Sequence, residues 1–277
     1  STATDSAGNS ASCEYEVIVT DQQSPRFLSV PKDISIATDS NTATGAATWD
    51  EPTYFDNVGV VTVKQSHESG DQFEVGTTIV TYNIYDDAGN SATVSFNVEV
   101  TDETAPTFDN CPKSVIIDTD PGLNTAIYSW DLVTASDNVD GSVDPVLQSK
   151  LGSGSSYQMG STVVTYTATD AAGSSTICQF SVTVEDNEKP IWSNIPTDIT
   201  SATDLGVSFG TIVWEPPSVS DNNGISKSYS THFSGQQFKL GTTTVTYTAQ
   251  DLSGNIYSES FTVTVVDEEN PILFNVP

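Results

Sequence analysis

Runs of alternating apolar and polar residues recur along this chain, paired around a short turn. Val80, Tyr82 and Ile84 alternate with Thr81 and Asn83. Val164, Tyr166 and Ala168 alternate with Thr165 and Thr167, and Val245, Tyr247 and Ala249 with Thr246 and Thr248. After each turn comes a second stripe: Val94, Phe96, Val98 and Val100, then Phe180, Val182 and Val184, then Phe261, Val263 and Val265. A period of two in β-branched and aromatic residues predicts strands with one buried face. The turns between the stripes read Asp-x-x-Gly-Asn or nearly so. They predict hairpins in which Asp accepts from backbone amides and Gly or Asn adopts positive φ. No stretch of useful length carries the 3.6-residue period of a helix, so the pattern predicts an all-β protein.

The same pattern repeats over long range. The turn motif begins at Asp5, Asp86, Asp170 and Asp251, in steps of 81, 84 and 81 residues. An Asp four residues before a Pro follows the same steps: Asp21/Pro25, Asp102/Pro106, Asp186/Pro190 and Asp267/Pro271. Trp49, Trp130 and Trp214 are each followed seven residues later by Asp-Asn, at Asp56, Asp137 and Asp221. Gly70, Gly154 and Gly235 open matching Gly-x-x-aromatic-x-x-Gly blocks. Such self-similarity marks a repeat architecture. The predicted boundaries are 1–22 for the tail of an upstream repeat, 23–102, 103–186 and 187–267 for three complete repeats, and 268–277 for the head of a downstream one. About six or seven short strands in each complete repeat predict tandem immunoglobulin-like β-sandwiches in an elongated array. The tryptophan early in each repeat plugs the core on this reading; its alternative role is a carbohydrate platform.

Composition narrows the function. Eight Lys and Arg against 37 Asp and Glu give a net charge of −29, which leaves no basic patch for nucleic acid. Aromatics at 9% supply a core and argue against disorder. No apolar run reaches the ~18 residues of a membrane span. The two histidines, His67 and His232, read as occupying unrelated positions of their repeats, which argues against a zinc site or a His-based triad. Gly152-Ser-Gly-Ser-Ser reads as a flexible turn, without the strand-to-helix context of a nucleophile elbow. No phosphate loop or dinucleotide fingerprint is present. There is no Asn-x-Ser/Thr sequon, while the Ser/Thr content permits O-linked sugars. Nothing points to an enzyme.

Of the three cysteines, Cys111 and Cys178 fall in the first and last strands of one repeat. A bridge between them closes a loop of about 68 residues, worth about 4 kcal/mol by chain entropy; two free buried thiols are the alternative. The other repeats carry Val30 and Ile195 at the first position, and Val94 and Glu259 at the second. Cys13 occupies the second position of the upstream repeat, with its partner expected before residue 1. An optional disulfide of this kind suggests a secreted or cell-surface protein.

Taken together, Asp102, Pro106, Cys111-Pro112, Trp49-x-x-Pro52, Asp56-Asn57-x-Gly59, Gly70 to Gly76, Thr78 to Tyr82 and Asp86 to Asn90 resemble the hyalin repeat (HYR) family over the whole chain. The departures are the absent cysteine pairs of the first and third repeats and the missing Trp-x-x-Pro after Trp130. The resemblance implies an extracellular immunoglobulin-like module of matrix and adhesion proteins, associated with calcium-dependent assembly, and no enzyme activity.

The predicted topology gathers acidic residues at one end of each repeat. The Asp of the linker, the Asp after the Trp and the Asp of the hairpin turn converge there. The expected sets are Asp21, Asp56 and Asp86; Asp102, Asp137 and Asp170; and Asp186, Asp221 and Asp251. Asp87, Glu103, Glu188 and Glu268 are secondary candidates. Three carboxylates with amide and carbonyl oxygens suit Ca²⁺, a hard cation that takes six to eight oxygen ligands. Solvated turn carboxylates are the alternative. The expected function is structural or adhesive, as a segment of an extracellular filament stiffened by Ca²⁺ at its junctions. Its partners are neighbouring repeats, identical chains, or other extracellular proteins and glycans. The alternative is a ligand-binding ectodomain of a receptor or adhesin. A distinct cleft with exposed aromatics in one repeat favours that alternative.

Overall fold

The computed structural model describes residues 1–271. The end of the segment assigned to a downstream repeat, 272–277, lies outside the described residues. All regular elements among the described residues are β-strands. The chain divides into two compact units. One comprises residues 1–107 with 135–143 and 169–176; the other comprises 108–134, 144–168 and the residues from 177 onward.

The first unit begins with an exposed hairpin, Thr2–Thr4 with Ser10–Ser12. A sandwich follows. Its main sheet has the order Ile34–Ala37, Ser91–Thr101, Gly76–Asp86, Val60–Gln65. The first of these runs parallel to its neighbour, and the others are antiparallel. The central hairpin pairs Phe96 with Val80 and Val94 with Tyr82, so the two alternating stripes share one face. Two short antiparallel pairs, Arg26–Ser29 with Thr53–Phe55 and Thr44–Ala46 with Gln72–Glu74, supply the cover. Val80, Tyr82, Val98 and Val100 are buried against Phe73 and Ala47 of that cover. Gly45 sits where the layers close: a Cβ there would lie 2.7 Å from the Ala37 carbonyl oxygen.

Two more four-stranded sheets follow along the chain. One has the order Val115–Asp118, Ser175–Glu185, Gly160–Thr169, Val146–Leu147. The other has Ile199–Ala202, Ile256–Val266, Gly241–Asp251, Ile225–Ser230. Each again has a parallel first strand. Each builds its own core, around Tyr157, Val164, Phe180 and Val182, and around Phe238, Val245, Phe261 and Val263. The expected tandem β-sandwich class is the one observed.

The three repeated tryptophans are core plugs. Trp49 meets Phe96 edge-on at 5.2 Å, Trp130 meets Phe180 at 5.0 Å, and Trp214 meets Phe261 at 5.3 Å. Each indole N–H donates to the hydroxyl of the Tyr in the preceding alternating strand: Tyr82 at 2.8 Å, Tyr166 at 3.2 Å and Tyr247 at 2.8 Å. The tyrosine thus buries its ring and spends its polar end on the tryptophan. This use of the rings corrects the platform alternative for these three residues.

The histidines also need correction. They occupy equivalent positions, since 232 − 67 equals 81 + 84. His67 stacks on Phe73 at 5.0 Å and His232 on Phe238 at 5.3 Å. Both cover the core, so the placement is a packing device of two repeats.

Cys111 and Cys178 are bonded, with their Cα atoms 5.7 Å apart. Cys178 is 2% exposed within the second repeat's core. Cys13 is an exposed free thiol.

Candidate metal centres

Each centre grows from the hairpin turn. In Asp86–Asn90 the chain reverses through Gly89 at φ +92°, a conformation that favours glycine. Asp86 Oδ1 accepts from the Asn90 backbone N–H at 2.8 Å, and Oδ2 from the Asn90 carboxamide at 2.8 Å. That carboxamide also donates to the carbonyls of Asp21 and Gln23, at 3.4 and 3.1 Å, fastening the linker to the turn. In the third repeat, Asn255 binds both oxygens of Asp251 and donates to the Asp186 carbonyl at 3.0 Å.

The other two aspartates of each set close loops with one oxygen. Asp21 Oδ1 accepts from Gln23 N–H, Asp102 Oδ1 from Thr104 N–H, and Asp186 Oδ1 from Glu188 N–H, all at 3.0–3.1 Å. Asp56 Oδ1 accepts from Val58 and Gly59, Asp137 Oδ1 from Val139 and Asp140, and Asp221 Oδ1 from Asn223. These are Asx turns, which short carboxylates form readily. The second oxygen is left over.

The three carboxylates of each set converge. Ligand-capable atoms of Asp21, Asp56 and Asp86 lie within 4.8 Å of one another, as do those of Asp102, Asp137 and Asp170, and those of Asp186, Asp221 and Asp251. The structure brings together all nine residues as the three expected sets. Asp87, Glu103, Glu188 and Glu268 are not in them. Glu188 instead accepts the Gly122 N–H with both carboxylate oxygens, at 3.0 and 3.2 Å.

Burial makes the arrangement costly as it stands. Asp86, Asp170, Asp186 and Asp251 are 1–7% exposed. Asp21 Oδ2, Asp137 Oδ2, Asp170 Oδ2 and Asp186 Oδ2 are buried and have no hydrogen-bond partner. Two carboxylates this close repel by about 3 kcal/mol at an effective dielectric near 20. Burial pushes the Asp221 carboxyl up from its ordinary value, and the charges of Asp186, Asp251 and Glu188 add to the shift. Burial also acts to raise Asp86, but the Asn90 and turn amides outweigh it and the net shift is downward. Oxygen-only donors, clustered and unpartnered, match the chemistry of a hard divalent cation.

Sequence reasoning did not single out Asn138 and Asn222, which directly follow Asp137 and Asp221. The Asn138 carboxamide donates to the Thr42 carbonyl at 2.7 Å and the Asn222 carboxamide to the Leu123 carbonyl at 2.7 Å. Their recurrence directly after Asp137 and Asp221 was the available signal.

Comparison with known proteins gives the lineage. The chain is 33% identical to hyalin of Lytechinus variegatus over 287 aligned residues, covering 100% of the chain and 54% of that protein. It is 34% identical to hyalin of Strongylocentrotus purpuratus, covering 95% of the chain and 22% of that protein. The chain therefore spans about half of one relative and about a fifth of the other. Among solved structures, a protocadherin gammaB7 EC3-6 cis-dimer matches at TM-score 0.36 and 15% identity, covering 96% of this chain and 83% of that one. Mouse cadherin-23 EC22-24 matches at TM-score 0.33 and 15% identity, covering 88% and 99%. Scores this low carry no argument. The HYR domain model matches residues 20–100, 101–184 and 185–265. With three matches covering most of its length, the chain belongs to the HYR domain family.

Proposed function

We propose that this chain is a segment of an extracellular structural or adhesive protein, in which Ca²⁺ held by the three aspartate triads stiffens the joints between successive repeats. The observation that carries this reading is the set of buried carboxylate oxygens left without partners in every triad. A cation there would cancel the repulsion and cross-link a linker, a loop and a hairpin turn. The disulfide and the similarity to two hyalins support an extracellular location and a non-enzymatic role. Neighbouring repeats and identical chains are the proposed partners. The test is thermal unfolding in excess EGTA, in millimolar Ca²⁺ and in millimolar Mg²⁺ at matched ionic strength. A rise of several degrees in Ca²⁺ alone is expected from native-state binding. No rise, or an equal rise in Mg²⁺, removes the calcium role.

The third repeat favours a second reading, in which the protein also binds a neutral glycan or an extracellular protein. It has a cleft of about 400 Å³ lined by Trp192, Pro216, Pro217, Tyr229, Phe233 and Tyr247. Tyr229 and Phe233 are 58% and 68% exposed. Ligands retained equally by Tyr229→Ala and Phe233→Ala variants would argue against this cleft.

A further inference from the structure

Asn138 and Asn222 make the same two bonds at equivalent positions. Besides the bonds to the Thr42 and Leu123 carbonyls, their nitrogens approach Thr38 Oγ1 at 3.5 Å and Thr119 Oγ1 at 3.3 Å. The acceptors are themselves equivalent, since 123 − 42 and 119 − 38 both equal 81. A carbonyl only accepts, so the nitrogen must face the turn, and this fixes the carboxamide orientation. The oxygen then faces the other way. Asn138 Oδ1 and Asn222 Oδ1 are both buried and both without a partner.

Asn138 and Asn222 directly follow Asp137 and Asp221, and the centres of those aspartates hold orphaned carboxylate oxygens of their own. Asp137 Oδ2 and Asp170 Oδ2 belong to the centre that follows Thr42, and Asp170 is 7% exposed. Asp186 Oδ2 belongs to the centre with Asp221, and Asp186 is 6% exposed. A cleft of about 230 Å³ lined by Asn41, Thr104, Ser136, Asp137 and Asn138 opens beside the former. Further acceptors among acceptors gain nothing from one another, and a cation satisfies them together. Asn57, in the same motif of the first repeat, is exposed.

Resting on the calcium reading, we propose that Asn138 and Asn222 are cation ligands through Oδ1, and that each couples cation occupancy to the turn held by its nitrogen. Coordination at the oxygen withdraws electron density from the amide and makes its N–H a stronger donor, as in other polarised hydrogen-bond chains. Binding of the cation therefore tightens the grip on the turns at 38–44 and 119–125. By linkage, the gripped turn raises cation affinity by the same factor.

The test titrates Ca²⁺ into the 277-residue chain by calorimetry and follows amide exchange in the two turns. The wild-type chain should bind three ions, and Ca²⁺ should slow exchange in both turns at least threefold. Asn138→Ala with Asn222→Ala should weaken two of the three sites at least tenfold. Asn57→Ala should change the remaining site by less than threefold. Asn138→Asp with Asn222→Asp keeps an oxygen ligand but loses the donor. That variant should bind Ca²⁺ at least as tightly as wild type while its turns gain no protection. Wild-type affinity in the alanine pair overturns the ligand role, and Ca²⁺-dependent protection in the aspartate pair overturns the coupling. A wild-type chain that binds no Ca²⁺ overturns the triad reading and this one with it.

Discussion

The second and third repeats build the same four-stranded sheet order and close it differently. In the second, Cys178 lies in the core and is bonded to the exposed Cys111. In the third, those positions hold Ile195 and Glu259. Glu259 is half-buried and accepts the Tyr257 hydroxyl at 3.0 Å, which pushes that hydroxyl's pKa up. The third repeat differs at another position too. Trp192 replaces the second repeat's Phe108, since 192 − 84 is 108, and packs edge-on against Tyr247 at 5.3 Å. The stripes of the long hairpin make the sandwich; the disulfide is an addition to it.

The largest effect should come from removing that addition. Replacing both Cys111 and Cys178 with Ala should cost the second repeat about 4 kcal/mol, from loop entropy returned to the unfolded chain. Calorimetry should then show it melting before the third repeat. If it does not, the two closures differ in geometry and not in stability.

A smaller effect tests the plug. Tyr247→Phe leaves the buried Trp214 indole N–H without its acceptor and should cost about 1–3 kcal/mol. Tyr166→Phe should cost less, because the bond to Trp130 is longer, at 3.2 Å, and the indole only half-buried. Urea unfolding of both variants ranks them, and a reversed order would break the comparison.

The turns differ too. Ser174 stands where the other complete repeats have Asn90 and Asn255, so Asp170 Oδ2 lacks the amide that serves Asp86 and Asp251. In chelator, Ser174→Asn should stabilise the second repeat by about 1 kcal/mol. It should also reduce the response to Ca²⁺, since the new donor satisfies an oxygen offered to the ion. An unchanged urea midpoint would mean that Asp170 already has what it needs.

The smallest effect is a slope. With Asp221 raised in the folded state, the chelated protein binds its proton more tightly folded than unfolded. This group therefore adds stability as pH falls through the raised value toward the ordinary carboxylate value, and loses it as pH rises back through the raised value. Thermal unfolding of wild type and Asp221→Asn in chelator isolates the term: the variant should lack this upward contribution on acidification.

The alternating stripes made the long hairpins legible, because a half-buried strand needs its apolar residues on one face and in register. The repeated Asp positions made the triads legible, because equal steps return each residue to the same place in each sandwich. The carboxamides of Asn138 and Asn222 were not legible. Their role depends on which carbonyl the nitrogen reaches and whether the oxygen is buried, and neither follows from spacing. The histidines show a different failure: their equivalence was countable at 165 residues, but the packing reason required Phe73 and Phe238 beneath them.

The sequence by itself determined the all-β class, the repeats, the cysteine pair and the aspartates that meet. Each follows from local periodicity or equal spacing, which a chain carries in its order of residues. Tertiary structure alone decided which carboxylate oxygen ties a turn and which is left over, that Tyr hydroxyls hold the tryptophans, and that two amides give their nitrogen to a turn and leave their oxygen buried without a partner. These depend on burial and on the direction of single atoms, which only the packed chain defines.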